Sequence, residues 1–475
     1  MTAIKKLFSA ALTAITLMTI PVSALDGESG VILSQTGVKQ TELAVSWRSD
    51  KQYSPSLRLY AGDGRELLAV IAAEGHEAGL DSSGGMLYTA KLPELKYGES
   101  YCYTIDGGSE YSFTIPDENS AGAFAFFGDI QPDYGREKDV YSAWGGLMET
   151  AARLYPKLEL AVLGGDMVSS AVSLEQFDLL REAAGAVCSE LPLIAVCGNQ
   201  ESSFISGKPE LFSRAFVLPE NGPEGFADEF YSVDCGGIHI IALNGWALSG
   251  EQKLGDRDVE RLNAWLCSEL YDNADKLCVA VTHIPAYPVY PDETAYRVRD
   301  EWSKILECGG TDLVLEGHQH IYSRSEPILD GQRNADGLVY IMNNSGEKSF
   351  SSSDESLAAR AVYGKALCLV VEESSDGLRI TAIDGQGGVF DKADINGRRA
   401  SFTRKMLMYA LWEKAGCPEA KGNGKFLDES SEAVRWGLEN GIVYGFGDGN
   451  FYPDEQLKPE HEALMLERYE RLMGE

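Results

Sequence analysis

The chain of 475 residues is poor in positive charge and in histidine. Its 41 Lys and Arg stand against 73 Asp and Glu, which gives a formal net charge of −32, and it contains six His. No long run of Lys and Arg offsets this excess, and a surface so acidic repels a phosphate backbone. Nucleic acid is therefore not expected as a partner. The overall charge does not exclude a local pocket for a small anion.

Paired cysteines are also missing from the sequence. The number of Cys is nine, which is odd, and no two of them have the CxxC spacing of a zinc ribbon. Cys197, Cys278 and Cys368 lie within apolar, strand-like runs, where cysteine behaves as a small buried hydrophobic residue. A disulfide framework is therefore not the expected design.

Long apolar runs do not occur after the N-terminus, and the one at the N-terminus is short. Lys5 and Lys6 precede an apolar stretch over residues 7–20, and a small-residue cleavage site follows at residues 22–24. A membrane span needs about 20 apolar residues. Residues 1–24 are therefore predicted to be a cleaved signal peptide, with an uncleaved anchor as the alternative. The protein is predicted to be exported, with no transmembrane segment after cleavage.

The order of predicted elements divides the remaining chain into three parts. Residues 25–118 contain short apolar or alternating runs between turn residues, which predicts a β-sandwich with Trp47 and Tyr103 buried. Strands and helices alternate over residues 119–385, which predicts a layered α/β domain. Residues 395–475 are predicted to form a small helical module. The predicted fold class is therefore multidomain.

Polar side chains follow the predicted strands of the central part where those strands end. They are Asp129, Gln131, Asp166, Asn199, His283, His318 and His320. Open α/β sheets bind their ligands at this end of the strands. Imidazole, carboxylate and amide oxygen together suit divalent metals such as Zn, Mn or Fe. One polar residue at the end of one strand is explained as well by a turn or a helix cap. Five strand ends in order along the chain, each with such residues, predict a two-metal site.

Residues 123–345 resemble the calcineurin-like metallophosphoesterases. The resemblance rests on the blocks GDIQ (128–131), GGDMV (164–168), GNQE (198–201), THIP (282–285) and GHQH (317–320). With the β-sandwich in front, which would then be fibronectin type III-like, the architecture looks like that of a purple acid phosphatase. The resemblance implies α-β-β-α layers in the central domain, and hydrolysis of phosphate monoesters or diesters.

The same resemblance implies a role for each residue of the site. Asp166 would bridge two divalent metals. The other ligands would be Asp129 and His320 for the first metal, and Asn199, His283 and His318 for the second. Catalytic roles are implied for Asp166, for Asn199 and for Gln200, which occupies the leaving-group position.

Three residues depart from the family's pattern. Gln131 replaces a His, and leaves a neutral oxygen donor or no ligand. Ser169 stands where purple acid phosphatases have a metal-binding Tyr. Gln200 replaces a His, and glutamine can donate a hydrogen bond but cannot transfer a proton. Two functions therefore stay open. One is an exported, wall-associated metal-dependent hydrolase of phosphate esters, and the other is a weak or inactive phosphatase-fold protein that acts in binding or structure at the cell surface.

The C-terminal region from Phe426 to Leu472 contains the segment NGIVYGFGDGNFYPDE. Over this stretch the chain resembles S-layer homology repeats, which bind cell-wall polymers. Upstream, Thr403 and Arg404 carry the threonine–arginine signature of a preceding, partial repeat. The resemblance implies a cell-wall polymer as partner, Arg404 as a contact with that polymer, and a location at the bacterial cell surface.

Overall fold

The structure is a computed structural model that describes residues 28–62, 66–80, 84–202, 207–422 and 424–474. The predicted signal peptide at residues 1–24 lies outside the described residues. A search of the described helices finds none that combines the length and the apolar character needed to cross a lipid bilayer.

The N-terminal part is built from strands that form two facing antiparallel layers. One layer contains β1 (Ser29–Gln35), β2 (Leu43–Ser49), β5 (Glu74–Glu77) and β6 (Met86–Lys91), and the other contains β3 (Ser56–Ala61), β4 (Glu66–Ala72), β7 (Ser100–Ile105) and β8 (Glu110–Thr114). Side chains from both layers form one apolar cluster, in which Trp47 and Tyr103 are fully buried. The predicted β-sandwich is confirmed. Its resemblance to fibronectin type III stays a prediction.

The central part contains two further layers of strands. The first layer contains β9 (Ala123–Phe127), β10 (Leu160–Leu163), β11 (Leu193–Ala195), β21 (Cys368–Ser374), β22 (Gly377–Ile383) and β23 (Val389–Asn396). The second sheet contains β12 (Phe230–Cys235), β13 (Ile238–Leu243), β14 (Leu277–Thr282), β15 (Leu313–Glu316), β16 (Tyr322–Ser325), β19 (Val339–Met342) and β20 (Ala358–Val362). A separate hairpin is formed by β17 (Ile328–Leu329) and β18 (Gln332–Arg333).

Helices cover the outer faces of these two sheets. They are α1 (Glu137–Leu154), α2 (Leu174–Cys188), α3 (Glu210–Ala215), α4 (Asp256–Asp272), α5 (Glu293–Val298) and α6 (Lys304–Cys308), with a 3₁₀ turn at Gly245–Ser249 and a π-helical turn at Arg299–Ser303. Alternation along β15 shows how the layers form, because successive side chains of a strand point to opposite faces. Leu313 and Leu315 belong to the cluster shared with the first sheet, whereas Val314 belongs to the cluster beneath α4. The predicted α-β-β-α layering is confirmed.

The N-terminal sandwich and the first central layer form one continuous sheet of ten strands, which runs from β23 to β5. The connection is β1, which pairs antiparallel with β2 on one side and parallel with β11 on the other, through Ser34 and Leu193. The guanidinium of Arg181 in α2 also holds β1 and β2 in place, because it donates to the carbonyl oxygen of Gly30 at 2.9 Å and to Ser46 Oγ at 3.0 Å. The sandwich is therefore joined to the central layers by backbone pairing.

The C-terminal part packs directly on the central part. It contains α7 (Arg404–Lys414), α8 (Glu432–Glu439) and α9 (Pro459–Met473). The Thr403 hydroxyl caps α7 by accepting the N–H of Met406 at 3.3 Å. Ala264 and Cys267 of α4 lie in the same apolar cluster as Leu407 of α7. Helix α4 therefore has the second sheet on one face and the C-terminal helices on another.

Candidate metal centre

All seven predicted ligands lie at one edge of the central part, where strands of both sheets end. Asp129, Asp166 and Asn199 follow β9, β10 and β11, whose pairing is parallel. The three histidines follow β14 and β15, which are also parallel to each other: they are His283, His318 and His320. Because parallel strands end at the same edge of a sheet, the fold brings these side chains together. Their roles as ligands stay predictions.

Two overlapping groups of donor atoms occur at this edge. The donor atoms of Asp166, His283 and His318 all lie within 4.8 Å of one another, and so do those of Asp129, Asp166 and His320. Asp166 is common to both groups. A carboxylate has two oxygens, so one shared aspartate can contribute to two cations at once. The arrangement has the form that a bridging Asp166 requires.

Two donor atoms in these groups are buried and have no hydrogen bond among the described residues. They are Oδ2 of Asp129 and Nε2 of His283, and the latter faces the carboxylate of Asp166 at 3.2 Å. A buried polar atom without a hydrogen bond is costly, and such atoms in a folded protein call for an explanation such as an ion. Bound cations would satisfy both atoms. The residues therefore fit a pair of divalent metals.

Four of these residues have backbone φ angles in the left-handed region. Asp129 and Asp166 have φ angles of 53° and 50°, and His318 and His320 have φ angles of 72° and 50°. The left-handed region is unusual for residues other than glycine, and residues held there cluster at functional sites. The surrounding strand ends hold these four residues in a geometry that the local sequence alone would not favour.

The charge balance of the centre depends on His283. Its Nδ1 lies 2.9 Å from the carbonyl oxygen of Gly164, which leaves Nε2 3.2 Å from Asp166 Oδ2. Burial alone would lower the pKa of His283, but the carboxylates of Asp166 and Asp129 outweigh it and raise the pKa well above its ordinary value. A metal binds neutral imidazole, so uptake of a metal at this side chain releases a proton.

A carboxylate outside the predicted set positions His318. One ring nitrogen, Nδ1, lies 2.9 Å from Asn199 Oδ1, and the other, Nε2, lies 2.9 Å from Asp292 Oδ2. Asp292 also caps α5 by accepting the N–H of Ala295 at 2.9 Å. Carboxylates that hold the far nitrogen of a metal-binding histidine fix its orientation and raise its basicity. The sequence around Asp292 signals only a helix cap, so this contact could not be recognised from it.

Asp292→Asn is expected to weaken binding of the second metal by about 10- to 100-fold, because partners of metal-ligating histidines have effects of this size. Asparagine caps helices about as well as aspartate, so the start of α5 is retained and the loss isolates the carboxylate. Metal titration followed by calorimetry measures the change. Asp300→Asn, on an exposed side chain of the π-helical turn that follows α5, is the control, and equal affinities in both variants would contradict the positioning role.

The three departures from the family pattern have distinct surroundings. The amide nitrogen of Gln131 lies 3.1 Å from Asp166 Oδ2 and 3.1 Å from His320 Nε2, while its oxygen accepts from Lys348. This orientation favours the alternative in which Gln131 is not a ligand. The hydroxyl of Ser169 donates to the carbonyl oxygen of Pro132.

Gln200 meets the centre through its backbone. Its N–H donates to Asp166 Oδ1 at 2.8 Å, and its side chain is partly exposed. The proposed bridging carboxylate is therefore oriented by the main chain of the GNQE block. The assignment of the Gln200 side chain to the leaving-group position stays a prediction.

Glu201 holds together the turns that carry Asp166 and Asn199, and sequence reasoning missed it. Its fully buried carboxylate accepts the N–H groups of Asp166, Met167 and Gly198 at 2.8 Å each, and that of Val168 at 3.2 Å. Burial and the neighbouring charge of Asp166 raise the pKa of Glu201. The only signal in the sequence was its place at the end of the GNQE block.

Arg404, the predicted contact with a wall polymer, is only 5% exposed. Its guanidinium lies between the rings of Phe446 and Phe451, at 4.6 and 4.8 Å from their centroids, and donates to the carbonyl oxygen of Tyr444 at 3.2 Å. These contacts stabilise the C-terminal part itself. A role in polymer binding stays a prediction.

Residues 122–322 match the family model of the calcineurin-like phosphoesterases, and residues 427–458 match that of the S-layer homology domain. The chain therefore carries a calcineurin-like phosphoesterase domain, which contains the candidate metal centre, and an S-layer homology domain near its C-terminus.

Purple acid phosphatases are among the proteins that this chain resembles in sequence. Purple acid phosphatase 15 of Arabidopsis thaliana is 28% identical over 165 residues, which cover 33% of this chain and 30% of that protein. Purple acid phosphatase 21 of the same plant is 23% identical over 283 residues, which cover 54% of this chain and 58% of that protein. The chain thus spans about a third to somewhat more than half of these relatives.

A solved structure shows the same fold. The purple acid phosphatase PPD1 from yellow lupin (Lupinus luteus) seeds superimposes with a TM-score of 0.62 at 16% identity, over 79% of this chain and 75% of the lupin chain. The fold is therefore purple acid phosphatase-like, with a β-rich N-terminal region and a central α/β phosphoesterase domain.

Proposed function

We propose that this chain is an exported hydrolase of phosphate esters that uses two divalent metals and is associated with the cell wall. The observation that carries the proposal is the pair of donor groups that share Asp166, with a buried donor atom that lacks a hydrogen bond in each group, Nε2 of His283 and Oδ2 of Asp129. The match of residues 122–322 to the calcineurin-like phosphoesterases supports the same chemistry.

Each predicted ligand of the site would have a defined role. Asp129 and His320 would hold the first metal, Asn199, His283 and His318 the second, and Asp166 both. Two such cations would polarise the phosphoryl group and lower the pKa of a water molecule. Asp292 keeps the His318 ring in place, and Glu201 fixes the turns that carry Asp166 and Asn199. Zn, Mn and Fe all suit this donor set.

Wall association rests on the S-layer homology domain, which suggests attachment to the cell surface. Export rests on the signal-like residues 1–24, which lie outside the described residues. The proposed partner of the C-terminal part is a cell-wall polymer, and that of the central part is a phosphate ester.

A specific observation favours a second function, a weak or inactive phosphatase-fold protein that acts at the cell surface. Gln131 turns its oxygen toward Lys348 and not toward the donor groups, and Gln200 offers no transferable proton. Elemental analysis of purified protein, before and after incubation with Mn and Zn, decides between the two. About two metals per chain, with metal-dependent hydrolysis in a screen of monoesters and diesters, supports the enzyme. Protein that takes up no stoichiometric metal refutes it.

Gln200→His is expected to raise hydrolysis of alkyl phosphates more than hydrolysis of aryl phosphates. Alkoxide leaving groups need a proton, aryl oxides hardly do, and general acid catalysis contributes about 10²- to 10⁴-fold. The measurement is a leaving-group series on both proteins at matched metal content. If rate depends on leaving-group acidity with the same slope in both proteins, residue 200 has no role in proton transfer.

A further inference from the structure

The segment from Ser345 to Phe350 lies tightly against the turn that carries Asp129. The N–H of Ser345 donates to the carbonyl oxygen of Gly128 at 2.7 Å. The Asn344 amide donates to the carbonyl oxygens of Gly346 at 3.1 Å and Lys348 at 2.8 Å. A Cβ atom on Gly346 would collide with the carbonyl oxygen of Asp129, so only glycine allows this approach. The backbone at Lys348 is thus fixed relative to the metal centre.

Lys348 places an ammonium group one side chain away from the donor groups. Its Nζ lies 3.2 Å from Gln131 Oε1, and the amide nitrogen of Gln131 lies 3.1 Å from both Asp166 Oδ2 and His320 Nε2. The Lys348 side chain is only 23% exposed. Sequence analysis did not single out this residue, because a lysine in a loop carries no pattern.

The carboxylates around Lys348 do not explain why its ammonium group lies at this position. Asp133 lies 3.5 Å from Nζ, but its side chain is 75% exposed, and exposed ion pairs contribute little. Glu347 is paired instead with Arg136 at 3.1 Å. A positive charge beside a site for two cations opposes metal binding, so its presence suits an anion that binds after the metals.

The number of terminal oxygens on the substrate indicates a role for the Lys348 ammonium group. A phosphate monoester has three terminal oxygens and carries about two negative charges at neutral pH, whereas a diester has two such oxygens and one charge. Two metals can each take one terminal oxygen. The third oxygen of a monoester then requires a donor that the predicted ligands do not supply.

We propose that Lys348 binds this third terminal oxygen and so favours phosphate monoesters over diesters. The inference rests on the proposed function and adds a specificity-determining residue to it. Lysine is suited to the task because its ammonium group is a compact charge with three donors.

The test compares Lys348→Met, Lys348→Arg and the control Lys365→Met in metal-loaded full chain. Lys365 is an exposed lysine whose Nζ lies 5.1 Å from the centroid of the Phe390 ring, on the same part of the chain. Calorimetry at about pH 8 measures binding of inorganic phosphate, whose oxygens are all terminal, and of dimethyl phosphate, which has two terminal oxygens. Metal content is measured for each variant.

Lys348→Met is expected to weaken inorganic phosphate binding by about 10- to 100-fold, the range for a hydrogen bond to a charged group. Dimethyl phosphate binding and metal content should stay at the wild-type level, and Lys348→Arg should restore most of the phosphate affinity. In steady-state assays, kcat/KM should fall for a monoester and not for a diester.

Two results would overturn the inference while leaving the proposed function intact. One is wild-type phosphate affinity in Lys348→Met. The other is an equal loss for both ligands together with a loss of metal, which would mean that Lys348 only positions Gln131. Wild-type protein that binds neither metal nor phosphate would refute the proposed function and this inference with it.

Discussion

Asp166→Asn is expected to reduce metal content from about two per chain to less than one and to abolish metal-dependent hydrolysis. Asp166 is the residue common to both donor groups, so its replacement affects both cations at once. Each catalytic metal supplies several kcal/mol of transition-state stabilisation, so a loss of about 10³-fold or more is expected. Elemental analysis and a rate measurement on the same preparation check both parts.

A second readout of this variant does not depend on activity. Metals that bind the folded chain stabilise it by about 2.7 kcal/mol at a concentration 100 times the dissociation constant. The wild type should therefore melt at a higher temperature when metal is added, and Asp166→Asn should not. Asp139→Asn, on an exposed side chain of α1, is the matched control. A variant of Asp166 that keeps two metals would show that it does not bridge them.

Deleting residues 395–475 is expected to destabilise the central part as well as remove wall attachment. The cut removes the end of β23, where Asn396 pairs with Gly377. It also uncovers Ala264 and Cys267 of α4, which lie in the cluster shared with α7. The expected loss is about 2–5 kcal/mol, and the exposed apolar surface should promote aggregation. Urea denaturation and size-exclusion chromatography measure these two effects.

A pair of point substitutions separates this packing effect from simple shortening of the chain. Leu407 in α7 is fully buried, whereas Leu427 is 83% exposed. Leu407→Ala should cost about 2–5 kcal/mol of stability, and Leu427→Ala close to nothing. If the shortened chain is as stable as the full one, the C-terminal helices are an independent module. In that case the chain without residues 395–475 is the right variant for a test of wall attachment. If the shortened chain is unstable, the test should use substitutions on the surface of the C-terminal part.

Much of the site was accessible from sequence because its residues follow strands directly. Asp129, Asp166 and His283 come just after apolar strands, so periodicity and position together predict that they lie at one edge of the sheets. The alternation of strands and helices predicted a layered α/β domain, whereas the α-β-β-α order was implied by the family resemblance. The small helical module predicted over residues 395–475 contains a helix that begins at Arg404, after the Thr403 cap.

Features that depend on distant partners were not accessible. The stretch at residues 386–396 has turn-rich composition, yet residues 389–396 form β23 because β22 offers a free edge. Asp292 and Lys348 act through neighbours that are far away in the chain, and neither stands in a motif. Tertiary contacts of this kind leave no local pattern.

The shared strand β1 has a consequence for how the chain assembles. Gly30 of β1 and its hydrogen-bond partner Arg181 are 151 positions apart in the chain. The edge of the sandwich at β1 therefore stays open until at least that much chain has been synthesised. Chains grow from the N-terminus at about 5–20 residues per second, and strand pairing over long distances is slow. Open strand edges pair with other molecules. A nascent chain that stalls before β11 therefore exposes β1 to its neighbours, and misassembly is expected to begin at this strand.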